Sequence, residues 1–164
     1  MVLEAIERYR EQGERSYHEG DFEQATAAFE RALAIEPGES GVQVGGGDAL
    51  AALWSAKGAC LARLGRYEEA AACHERAARI GPGDASRWSR LGEVHLETKH
   101  YQKAIEAFDL ALAVDAECPS ALLGMARALS TVGRWREAVE VARKFSAAAG
   151  RPAPVRGGAI LCHE

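Results

Sequence analysis

The chain repeats itself. Shifted by 34 residues, Trp54 falls on Trp88, Gly58 on Gly92 and Leu61 on His95. Tyr67, Tyr101 and Trp135 form one column, and Ala70, Ala104 and Ala138 another; Ala77 and Ala111 continue into Phe145. An earlier copy, displaced by 45 residues, holds Tyr9, Gly13, Gly20, Phe22, Ala25, Phe29, Ala32 and Pro37, and the extra 11 residues lie in the linker after it. The clearest copy is Ala85 to Cys118. In it Trp88, Leu91, Gly92 and His95 share one helical face, and Tyr101, Ala104, Ile105, Phe108, Ala111 and Leu112 share another. Two short amphipathic helices joined by a tight turn cannot bury their apolar stripes alone. They need neighbours built to the same plan.

Each column has a physical cause. Gly13, Gly58 and Gly92, with Ala25, Ala70, Ala104 and Ala138, let helix backbones approach closely. Gly20, Gly65 and Gly133 stand where a tight turn wants positive φ. The aromatic that follows, Phe22, Tyr67, Tyr101 or Trp135, is expected to plug the open end of its pair. Pro37 and Pro82 stop the second helix.

This pattern resembles the tetratricopeptide repeat family. Unit length, small-residue columns, aromatics and terminating prolines agree together over residues 6–150, as repeats 6–39, 51–84, 85–118 and 119–150. The resemblance implies an all-α fold: one domain, 1–164, shaped as a right-handed superhelical α-solenoid of four helix-turn-helix repeats. The first repeat departs from the pattern at Gln12. The fourth departs at Leu122, Ala126 and Phe145, as a terminal repeat does. The first helix of each pair then lines a concave groove. Its main residues are Arg10, Glu14 and Tyr17; Ser55, Ala59 and Arg63; Ser86, Ser89, Glu93, Leu96 and Glu97; and Leu123 and Arg127. A middle that is small and weakly polar, with Arg and Glu towards the ends, suits an extended peptide or an amphipathic helix. A solvated face is the plainer reading of any single side chain. One subfamily grips chaperone C-termini with a carboxylate clamp of Lys, Arg and Asn. Here the matching positions hold Arg10, Glu14, Ala56, Ser86 and Arg90, or, one repeat later, Ser55, Ala59, Arg90, Ser120 and Gly124. Neither set contains Asn, and Glu14 would repel a carboxylate. That speaks against a chaperone-tail role, although Arg10 and Arg90 can each hold an acidic side chain.

Composition narrows the partner. A net charge of −4 argues against nucleic acid, which normally needs a basic face. No apolar run reaches the ~18 residues of a membrane helix, and MVLEAIERYREQ lacks the apolar core of a signal peptide. Cys60, Cys73, Cys118 and Cys162 show neither metal-finger nor disulfide-framework spacing. The chain reads as a soluble cytoplasmic protein with reduced thiols, features that a cut fragment or a protein secreted without a signal would share. Cys73-His74 and Cys162-His163 point about 100° apart on a helix and make poor metal pairs. Gly45 to Gly47 resembles a phosphate loop but lacks its Lys-Ser/Thr, and Asp48 opposes phosphate.

Two segments stand apart. Residues 40–50 read as an insertion, either a floppy one or a loop over the groove, with Asp48 capping a helix that starts at Ala49. In the tail, 151–164, Pro152 and Pro154 stop the last helix, and Ala159 to Leu161 form a capping helix or a frayed end. His74 and His95 take columns that prefer an aromatic, and the stacking of repeats two and three is expected to bring the two rings together. They read as neutral core histidines, or else as a pH-sensitive joint or metal site. The function implied is a non-enzymatic protein–protein interaction scaffold needing no cofactor or metal. The alternative is self-assembly through the terminal repeats or tail, with an enzyme or metal protein third.

Overall fold

Four antiparallel helix pairs succeed one another along the chain, each packed on the next. The computed structural model describes residues 2–35 and 46–150. Its helices are α1 (Val2–Glu19), α2 (Phe22–Ile35), α3 (Gly46–Arg63), α4 (Tyr67–Ile80), α5 (Ala85–Glu97), α6 (Tyr101–Val114), α7 (Pro119–Thr131) and α8 (Trp135–Ala149). Consecutive helices pack together throughout, and α5 also touches α7. Among the described residues there is no strand. The fold is the all-α, right-handed solenoid of four helix-turn-helix units that the repeat implies. No described helix is long and apolar enough to cross a membrane.

One turn recipe serves all four pairs. A residue takes positive φ, and the next donates its N–H to the carbonyl five residues back: Asp21 to Ser16, Arg66 to Leu61, His100 to His95, Arg134 to Leu129, each at 2.9 Å. This closes the helix end by satisfying a carbonyl that has lost its helical partner. The positive φ falls on Gly20 (84°), Gly65 (75°) and Gly133 (80°), as expected, but in the third turn on Lys99 (61°). A Cβ is strained there. Lys99→Gly is therefore expected to raise stability by about 0.5–1 kcal/mol, after the entropy that glycine adds to the unfolded chain. The urea midpoint reads this directly; a lower midpoint would contradict it.

The core is a row of rings set against glycine. Phe29 lies on Gly13, His74 on Gly58 and Phe108 on Gly92, so closely that a methyl group on those glycines would stand 2.7, 2.9 and 2.6 Å from the ring. Phe108 is met from its other side by Gly124 of α7, where the same methyl would stand at 2.2 Å. The 34-residue shift brings Ala126 and Ala142 to these positions in the fourth pair. No ring stands there, and beside them lies an open surface depression of about 460 Å³, lined by Leu123, Ala126, Trp135, Val139 and Ala142. Phe22, Tyr67 and Tyr101 are half-buried plugs. Trp135 is 64% exposed, because among the described residues no further pair covers it.

The start of α3 differs from the sequence reading. Asp48 does not cap it; the helix begins at Gly46, so Gly46 and Gly47 are helical and Asp48 sits in the first turn. An acidic side chain is favourable there for its effect on the helix dipole. The Asp48 carboxylate also lies 3.3 Å from Nη1 of Arg87, which donates to the Gly81 carbonyl at 3.0 Å. Asp84, the N-cap of α5, stands 3.4 Å from Nε of Arg87. One guanidinium thus ties the start of α3, the end of α4 and the start of α5. The rest of the insertion and the tail from residue 151 lie outside the described residues, and with them the proposed loop over the groove and the capping helix.

Candidate functional site

Helices α1, α3, α5 and α7 contribute side chains to one shared wall. Small residues in α3 leave room on it. A cavity of about 250 Å³ lies between Glu14, Tyr17, Ala56, Ala59 and Arg90. A second, of about 320 Å³, holds Ala59, Ala62, Arg63, Glu93, Glu97 and Arg127 on its wall. Tyr17, Ala59 and Arg90 border both, so the two are parts of one groove.

This wall brings together Glu14, Tyr17, Ala59, Arg63, Glu93, Glu97 and Arg127 of the residues read from the sequence. Leu123 lies further along, 50% exposed in the C-terminal cavity that Arg127 also borders. Ser55 is half-buried in α3 and lines neither central cavity. Two residues do not face the groove. Ser89 is 1% exposed and its hydroxyl is 2.9 Å from that of Ser120, while Leu96 is buried in the core with Ile105 and Phe108. The cause is rotation by one residue, about 100° on a helix. Ser86, Arg90, Glu93 and Glu97 follow a 4-3-4 spacing on the free face; Ser89, Gly92 and Leu96 follow 3-4 on the buried one. That spacing is the signal for Arg90, which belongs in the groove set and was absent from it.

Two other residues are committed locally. Arg10 holds both Glu7 and Glu14. It is therefore not free to take an acidic side chain, and Glu14 is neutralised as a source of repulsion. Ser86 is engaged by Asp84, whose Oδ1 accepts from the Ser86 N–H at 2.9 Å and hydroxyl at 2.6 Å. That pair of bonds holds the Asp84 carboxyl below the usual carboxylate range. Burial pushes the Glu93 carboxyl upward, while the Arg90 and Arg127 guanidiniums pull against it.

The histidines do not meet as anticipated. His74 is 3% exposed, against Gly58, with Arg90 as its charged neighbour. The His95 ring stands edge-on to His100, with centroids 6.2 Å apart. Neither Nδ1 has a hydrogen-bond partner. Cys60, Cys73 and Cys118 are buried free thiols, and burial pushes the Cys60 thiol up to about 11, far from a reactive thiolate. Among the described residues no group of three His, Cys, Asp or Glu is placed to hold a metal ion.

Known proteins of this shape supply the comparison. A crystal structure of MamA superposes with a TM-score of 0.77 at 17% identity, over 88% of this chain and 78% of that one. MamA from Desulfovibrio magneticus RS-1 gives 0.75 at 21%, over 88% and 75%. The TPR domain of Arabidopsis OM64 gives 0.68 at 18%, over 80% and 99%. At these identities the likeness is one of fold. No curated protein matches the chain in sequence. Two tetratricopeptide repeat models do match, over residues 48–117 and 121–154, together more than half of the chain. Those spans cover the second to fourth units, and the chain belongs to the tetratricopeptide repeat family.

Proposed function

We propose that this protein is a non-enzymatic interaction scaffold that holds an extended peptide or an amphipathic helix in its concave groove. The observation that carries the reading is the continuous pair of cavities over Ala56, Ala59 and Ala62, walled by Tyr17 and by charged side chains from successive repeats. A floor of small residues admits a backbone, and the charged walls supply orienting contacts. Free buried thiols suit a reducing, cytoplasmic setting.

Peptide phage display on the folded protein tests this. Selected peptides are expected to lose at least about ten-fold in affinity for Ala59→Trp, whose indole fills the floor that both cavities share. Equal binding to both proteins, with Ala59→Trp shown folded by circular dichroism, moves the site elsewhere.

Self-assembly is the second reading. It is supported by the exposed apolar end, where Leu123, Trp135 and Val139 are each at least half exposed. Light scattering of the full chain and of Trp135→Glu separates the two: a dimer lost in the variant favours assembly, and a monomer in both refutes it.

A further inference from the structure

Six basic side chains among the described residues are matched by carboxylates: Arg10, Lys57, Arg66, Arg79, Arg87 and Arg134. Of the several that are not, Arg63, Arg90 and Arg127 are gathered in one place. They come from three successive repeats, on α3, α5 and α7, and line one cavity of about 320 Å³. Among the described residues no carboxylate oxygen lies within 4 Å of any of them. Arg63 makes only a cation–π contact, 4.8 Å above the Phe22 ring. We infer that the middle of the groove is a receptor for an acidic side chain, Asp or Glu, carried by the bound peptide, with Arg90 as its main anchor. This rests on the groove reading above and names the chemistry of its ligand.

Arg90 borders both central cavities, so a backbone lying over Ala56 and Ala59 runs alongside its side chain. The fork of a guanidinium matches the two oxygens of a carboxylate. Glu93 and Glu97 share the second cavity. Three cations against two carboxylates leave a surplus of one positive charge inside a chain whose net charge is −4. One carboxylate balances that surplus, whereas a doubly charged phosphate exceeds it and meets Glu93. Glu14, at the far wall, is held by Arg10 and offers no free charge to oppose the ligand. Arg90 stands at a clamp position in both sets, but Arg63 and Arg127 lie outside them, so the grouping of the three is this groove's own.

The test uses short fluorescein-labelled peptides of alternating Glu and Ala, Gln and Ala, or Lys and Ala, read by fluorescence anisotropy at low salt. The Glu peptide is expected to bind tightest. Arg90→Gln should weaken it by about ten-fold, the loss of a charged hydrogen-bond pair, and Arg90→Lys should restore part of that. The combined Arg63→Gln, Arg127→Gln variant should weaken it further. Glu93→Gln should tighten it several-fold by removing an opposing charge, a sign that a damaged fold cannot produce. Arg136→Gln, on the exposed side of α8, should leave it unchanged; a loss equal to that of Arg90→Gln means bulk charge attraction and overturns the proposal. If the Gln or Lys peptide binds as well as the Glu peptide, and Ala59→Trp abolishes it, the groove stands and the acidic preference falls. If no peptide binds, groove and preference fall together.

Discussion

Phe108→Ala should cost about 3–5 kcal/mol, the range for removing a fully buried aromatic ring. Phe108 is wholly buried and wedged between Gly92 of its own repeat and Gly124 of the next. The backbones of α5 and α7 close on its two sides, so neither is free to collapse into the space left behind. The cost should therefore lie towards the upper part of that range. The converse change tests the same joint: a methyl on Gly124 would stand 2.2 Å from the ring, so Gly124→Ala should also lose stability despite the helix preference of alanine. Denaturant titration of both variants decides the matter. A loss below about 1 kcal/mol for Phe108→Ala would mean that the ring does not hold the repeats together.

Acidification should destabilise the parent protein and leave His74→Phe much less affected. Burial, helped by the Arg90 charge, lowers the His74 pKa from its ordinary 6.5 to about 4. Below about pH 6.5 the unfolded chain binds a proton there that the folded chain refuses. The stabilising contribution is thus whole above that pH and is lost as pH falls towards 4. Between pH 7.5 and 5.5 the parent should lose about 1–2 kcal/mol from this group. His95 is lowered too, by burial with Lys103 and His100, while Glu75 and Glu68 act the other way; it adds a smaller slope of the same sign. Phenylalanine suits the His74 position because Phe29 and Phe108 hold it in the flanking repeats, against Gly13 and Gly92. It also removes an Nδ1 that lacks a partner. Melting temperatures at the two pH values check this; equal shifts in parent and variant would acquit His74.

The repeat was legible because it repeats. Gly13, Gly58 and Gly92 each had a ring sixteen residues on, and Gly20, Gly65 and Gly133 each had an aromatic two residues on. Such columns survive reading along a line. What escaped involved contacts that a line does not carry. Gly124 falls outside the glycine column and earns its place only through the ring of the preceding repeat. Arg10 looked free until its helix put Glu7 and Glu14 beside it, at three- and four-residue spacing. Ser89 and Leu96 were placed one residue out of phase, enough to turn them inward. Lys99 gave no warning of its positive φ; the hydrogen bond from His100 to His95 imposes that conformation in defiance of local preference.

The missing ring between Ala126 and Ala142 sets the order in which the array comes apart. In a linear stack each unit leans only on its neighbours, so opening begins where the last interface is thinnest. Here that is α8, which packs on α7 with no ring between them and an open depression beside it, while α3 to α6 are pinned by His74 and Phe108. Amide protons of α8 should exchange first and those beside Phe108 last, a gradient running inward from the carboxyl end.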